Sequence, residues 1–184
     1  MRLKPPKLYL SNSTSGFNAF QVGISFLSSL FLIGNPMPIM NSSDIEAVLA
    51  HELSHIKLKH GLKMLFNIIL FITLLAFADF YLATPVLKQS NSIYLGFSAY
   101  LLFNAMGAAS ILLALLALKR KFELQADFLA ACTCGFEQYL QAMSKVYGQG
   151  VKQGQCATRM ESLLSGHPCY YERIVELQKR FAVP

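Results

Sequence analysis

The chain has 184 residues, enough for one domain with a sizeable core, and no repeat period runs through it. It is 54% hydrophobic and only 14% charged, with a mean hydropathy of +0.41, which argues against an ordinary soluble domain and puts part of the chain in lipid. The net charge of +6 does not signal nucleic acid, because no basic run is interleaved with aromatics; the basic residues cluster beside apolar segments, as at a cytoplasmic membrane face.

Residues 1–7 are basic and contain Pro5-Pro6, so they read as an extended, exposed arm. Residues 17–34 are apolar enough to suggest a signal peptide or anchor. Asn18, Gln21, Ser25, Ser28 and Ser29 interrupt the run, however, and β-branched and aromatic residues between Gly16, Gly23 and Gly34 suit two short strands. The segment holding Asn18, Ala19 and Phe20 is either an ordinary strand or an edge strand that hydrogen-bonds an extended substrate. Asn35-Pro36 and Pro38 punctuate the passage to a helix over residues 42–61. Ser43 with Glu46 forms a capping-box pattern at its start, and Gly61, after His60, offers a C-cap at its end.

That helix carries Ala50-His51-Glu52-Leu53-Ser54-His55, the pattern HExxH. Positions i and i+4 share one helical face, so His51 and His55 can both direct an imidazole nitrogen at one Zn²⁺, with Glu52 in reach of a water on the ion. Zn²⁺ brings the pKa of such a water towards about 7, and a carboxylate base then yields a nucleophile for a peptide carbonyl. Ile45, Val48, Leu49, Leu53 and Ile56 recur at three- and four-residue spacing and pack the helix on a core. Five-residue patterns also arise by chance on surface helices, so the motif needs support from the rest of the chain.

Residues 62–84 and 93–118 each exceed the roughly 20 residues that cross a bilayer, and 85–92 would be the turn of a transmembrane hairpin. Lys57, Lys59 and Lys63 precede the first span and Lys119, Arg120 and Lys121 follow the second, while the loop holds only Lys88, so both outer ends are cytoplasmic. Asp79 falls near the far end of its span, where hydration makes a carboxylate tolerable. Ala105 and Ala109 are a weak signal for close helix approach. His60 reads as a helix-end histidine near the membrane, off the ligand face.

After the second span, a carboxylate on another helix can complete the metal site, and Glu123 is the candidate. Asp127, one turn on, can accept the N–H of a ligating histidine. The alternative is a solvated acidic face, which HExxH upstream makes the weaker reading. Gly135 breaks this helix before another over 136–147; residues 148–166 suit a loop, a candidate gating flap. His167-Pro168 then leads into a last helix. His167 and Arg173 could donate to an oxyanion or orient the carboxylates, though spacing alone favours a structural role for both. Cys132, Cys134, Cys156 and Cys169 read as free thiols in a reducing compartment, and Cys132-x-Cys134 lacks the usual zinc-knuckle spacing.

Asn18-Ala19-Phe20, HExxH, the hairpin, Glu123-Leu124-Gln125-Ala126-Asp127, and His167-Pro168 with Arg173 together resemble the membrane-bound gluzincin metallopeptidases, the group of HtpX and the CAAX prenyl proteases. HtpX-like members are the closer resemblance. It implies an α+β, mostly helical, zincin-like core with a small N-terminal β-sheet and a two-helix hairpin inserted between the HExxH helix and the third-ligand helix. One domain is expected, with strands in 1–41, the motif helix in 42–61, the hairpin in 62–118 and the C-terminal helices in 119–184. The resemblance further implies one Zn²⁺ per chain on His51, His55 and Glu123, Glu52 as base, Asp127 behind a ligand, and His167 and Arg173 near the substrate. It departs at the start, where HtpX-like proteins carry further transmembrane helices, so that the sequence is a natural short form or lacks its beginning.

The expected protein is a zinc endopeptidase in a bacterial inner membrane, multi-pass, with its catalytic part cytoplasmic. Its partners would be the bilayer and protein or peptide substrates, chiefly membrane proteins under quality control, and no nucleic acid. The alternatives are a CAAX-type prenyl protease, disfavoured because two spans enclose little room for a lipidated tail, and a non-catalytic adaptor, disfavoured by the retained Glu52.

Overall fold

A computed structural model describes residues 6–11, 18–23, 28–33, 40–89, 92–147 and 164–182. Three short strands, β1 (Lys7–Ser11), β2 (Asn18–Val22) and β3 (Ser29–Ile33), form a sheet in the order β1-β3-β2. β1 runs parallel to β3 and β2 antiparallel to it, with Ala19 opposite Leu32. The third strand is a departure from expectation. Residue 7 begins β1, whose residues are all exposed, so the strand is held by backbone pairing that leaves no alternation of burial to read.

Helix α1 (Ser42–Lys57) starts one residue before Ser43. Its capping box is Asn41 with Asp44: the Asp44 N–H donates to Asn41 Oδ1 and the Asn41 N–H to Asp44 Oδ2, each at 2.8 Å. Ser43 and Glu46 match the same pattern, but Asn41 and Asp44 form the cap, and Lys145 also donates to Asp44. At the other end the helix stops before His60. Leu58 caps it and Lys59, not Gly61, takes the left-handed conformation, with φ 57°. His60 therefore opens α2 (His60–Ala78), and its buried ring stacks on Phe122 with centroids 4.3 Å apart.

α2 runs through a π-helical segment (Asp79–Ala83) into α3 (Thr84–Gln89), so the turn of the hairpin is much shorter than 85–92. Pro85 lacks an N–H and would crowd the carbonyl four residues back; the wider π turn just before it relieves that conflict. Asp79 accepts hydrogen bonds from Tyr100 (3.2 Å) and Asn104 (3.0 Å) of the returning helix, so its carboxylate is paired inside the hairpin. The close approach falls at Gly107, where a Cβ would lie 2.5 Å from Leu75, while Ala105 and Ala109 face outward.

The returning helix, α4 (Ile93–Cys134), is 42 residues long, about 63 Å. The second apolar stretch and the ligand segment are thus one helix, and the charge-free part (93–118) passes without a break into the part that carries Glu123 and Asp127. Both long helices are apolar and long enough to cross a membrane, with large side chains such as Phe66, Ile72, Phe77 and Leu102 exposed.

Gly135, at φ 97°, separates α4 from α5 (Phe136–Tyr147), and α6 (Tyr170–Ala182) closes the chain. The core lies where α1, α4, α5 and α6 meet, and its deepest residues are small: Ala47, Ala126 and Ala130 are each 0% exposed. Alanine at these positions lets α1 and α4 pack closely, since interaxial distance follows side-chain size. Cys132 and Cys134 are free, but Cys169 is disulfide-bonded, against the reading of four thiols; pairing depends on Cβ atoms about 4 Å apart, which spacing along a chain does not reveal. The proposed gating loop lies largely outside the described residues.

Candidate metal centre

The close α1–α4 contact brings three ligand atoms to one point. His51 Nε2 and His55 Nε2 are 3.3 Å apart, and Glu123 offers Oε2 at 3.5 Å from the first and Oε1 at 3.7 Å from the second. Four ligands arranged tetrahedrally at about 2.1 Å from Zn²⁺ are separated by about 3.4 Å; the two imidazole nitrogens meet that spacing, and one ligand atom from each of the three residues lies within 4.8 Å of the others, so the donor set fits that ion. Two imidazoles and a carboxylate also leave a fourth position open, as in catalytic zinc sites. These three are the group among the described residues able to hold a metal ion.

Behind His51 lies a buried polar cluster. Asp127, 0% exposed, holds Oδ1 at 2.9 Å from His51 Nδ1, and Tyr139 donates to the same oxygen at 2.6 Å. Arg173, 2% exposed, donates Nε to Asp127 Oδ2 at 2.7 Å, a second N–H to Oδ1 and a third to the Tyr147 hydroxyl. With Nδ1–H directed at a carboxylate, the neutral His51 ring keeps its lone pair on Nε2, where a metal needs it. Tyr139 and Tyr147 were missed from sequence. They lie with Ala142 and Met143 at helical spacing on the buried face of α5, a pattern that predicts burial without revealing what a hydroxyl meets.

A cleft of about 730 Å³ opens over the three ligand atoms, lined by Glu52, Ala19 of β2, Phe122, Met143, His167 and Lys119 among others. Glu52 thus shares the cleft with the histidines. Ala19 reaches it because β2 packs on α1; Asn18 and Phe20 flank it on that strand, an edge of the sheet among the described residues. His167, half exposed, places Nδ1 3.2 Å from Glu123 Oε2. Lys119 runs so close to Gly166 that a Cβ there would lie 2.8 Å from its Cδ, which brings the His167-Pro168 turn against α4.

The electrostatics follow from these contacts. Burial works to lower the His51 pKa, but hydrogen bonds to Asp127 and Glu123 outweigh it and raise the value to about 9. Burial lowers His55 to about 4, helped by the neighbouring His51. Although burial opposes it, the Arg173 and His51 hydrogen bonds hold the Asp127 carboxyl well below the usual range. Metal-free protein at neutral pH therefore carries a proton on His51 that a metal must displace. Apparent zinc affinity should rise about tenfold per pH unit from pH 7 towards 9 and level off above, with no further proton to lose from His55. Chelator-buffered zinc titrations at several pH values measure this; a flat profile between pH 7 and 8.5 would contradict it.

An HExxH helix joined by a carboxylate from a second helix, over a cleft, is the ligand arrangement of the zinc metallopeptidases. The model of peptidase family M48 matches residues 1–181, and the chain belongs to that family, which includes HtpX and the Ste24/CAAX protease. Among solved structures, the crystal structure of S. mikatae Ste24p is similar, with a TM-score of 0.62 and 22% identity over 95% of this chain. The chain spans 45% of that protein's length. No curated protein sequence matches it.

Proposed function

We propose that the protein is a membrane-anchored zinc endopeptidase that cleaves protein substrates at the cytoplasmic face, with HtpX-like quality control of membrane proteins as its task. The observation that carries the peptidase reading is the convergence of ligand atoms of His51, His55 and Glu123, within 4.8 Å of one another, beneath a cleft that Glu52 lines. Zn²⁺ held there would supply a Lewis acid and an acidified water. Glu52 takes the proton of the attacking water and passes it to the leaving amine. Asp127, backed by Arg173, keeps His51 in its ligand tautomer and orientation. His167, at the cleft rim with Nδ1 3.2 Å from Glu123 Oε2, would donate to the developing oxyanion or orient that carboxylate. Asn18, Ala19 and Phe20 offer backbone groups of an edge strand to an extended peptide. The two apolar helices supply the anchor, and the lysines flanking them support a cytoplasmic site.

Detergent-purified protein is expected to hold one zinc per chain, to cleave casein, to lose cleavage on chelation and to regain it with zinc. Hydrolysis that survives removal of the metal would sink the reading. The Ste24p likeness motivates a second arm with a prenylated CAAX peptide; preferential cleavage of that peptide would replace quality control with prenyl-protein processing.

A further inference from the structure

The two histidines of the motif are backed differently. His51 turns Nδ1 to a carboxylate, whereas His55 turns Nδ1 to another imidazole: His60 Nδ1 lies 3.0 Å away. The far nitrogen of that ring, His60 Nε2, faces Gln125 Oε1 at 3.2 Å. His60 is 3% exposed and stacked on Phe122 with 7° between the planes, so its orientation is held by the stack and by a partner at each ring nitrogen. Gln125 sits on α4 two residues beyond Glu123. The left-handed Lys59 swings the chain so that the first residue of α2 points back at the site.

Only one proton ordering along this chain leaves His55 able to bind metal. Two ring nitrogens 3.0 Å apart share a single proton. If His55 Nδ1 carries it, the His55 lone pair is on Nε2, His60 Nδ1 accepts, and the His60 proton stands on Nε2, which needs an acceptor. The Gln125 carbonyl oxygen is that acceptor. With the amide reversed, its NH₂ would donate to His60 Nε2, the ring would donate from Nδ1 to His55, and the His55 proton would sit on Nε2, where the metal must bind. The geometry points to His60 and Gln125 as a positioning pair that holds His55 in its ligand tautomer, a hydrogen-bonded chain from α2 and α4 to the metal centre.

This inference rests on the zinc reading above and is tested by metal affinity, not turnover. In chelator competition on the full chain in detergent, His60→Phe, which keeps a ring on Phe122, is expected to weaken zinc about 10–100-fold, the usual cost of losing such a support. Gln125→Leu should do the same, and the double variant should be no worse than either, because both break one chain. Gln125→Glu, an acceptor only, should bind at least as tightly as wild type. Retention of zinc within twofold by folded His60→Phe or Gln125→Leu would overturn the pairing, as would losses that multiply in the double variant. Failure of the wild type to take up zinc is a separate result, which removes the metal reading itself.

Discussion

Replacing Glu52 with Gln should leave zinc in place and lower peptide hydrolysis by about 10²–10⁴-fold, the contribution typical of a positioned base. Zinc stays because Glu52 is not among the three residues whose ligand atoms converge. Activity falls because an amide of the same shape cannot take a proton from water. Zinc content and casein cleavage of both forms, measured side by side, check the two halves separately. Equal activity in both would exclude Glu52 as the base and require another group in the cleft.

Replacing Asp127 with Ala should produce the largest loss of stability of any single change at the site. It strips a guanidinium that is 2% exposed of its counter-charge, a cost of about 3–5 kcal/mol. For a chain of this length that corresponds to a drop of about 6–20 °C in the unfolding midpoint of the metal-free protein. Zinc affinity should fall about 10–100-fold as well, since His51 loses the acceptor that fixes its tautomer. Asp127→Ala combined with Arg173→Met should recover much of the midpoint and none of the affinity, because removing both charges relieves the desolvation cost without restoring the acceptor. Recovery of both together would mean that the carboxylate acts on the metal only through the fold.

Much of the site was legible because its chemistry is tied to helical spacing. His51 and His55 share a helical face by arithmetic, and the same arithmetic makes Glu123 and Asp127 point one way. Gly135 ends α4 where a break was expected, and α5 occupies the expected 136–147. Contacts between residues distant in sequence decide the rest. Asn41 with Asp44 forms the cap whose pattern Ser43 with Glu46 also matches, and Lys145, about a hundred positions later in the sequence, adds a tertiary contact to Asp44. Gly61 has the better intrinsic preference for a left-handed turn, yet Lys59 adopts it, and His60 is then free to lie on Phe122. Ala105 and Ala109 match a small-residue pattern, but the helix presents Gly107 to its neighbour instead.

The sequence by itself determined the metal-binding residue types, the helix that spaces two of them, and the pair of apolar stretches long enough to span a bilayer. These are properties of a period and a length, which are local. Only the tertiary structure decided that the second apolar stretch and the Glu123 segment are one uninterrupted helix, that Tyr139 and Arg173 close around Asp127 with Tyr147 on the guanidinium, and that His60 backs His55. Each of these depends on the rotation of one helix about its axis relative to another. That rotation is set by alanine-lined packing between α1 and α4, where a methylene more on either face would part the ligands.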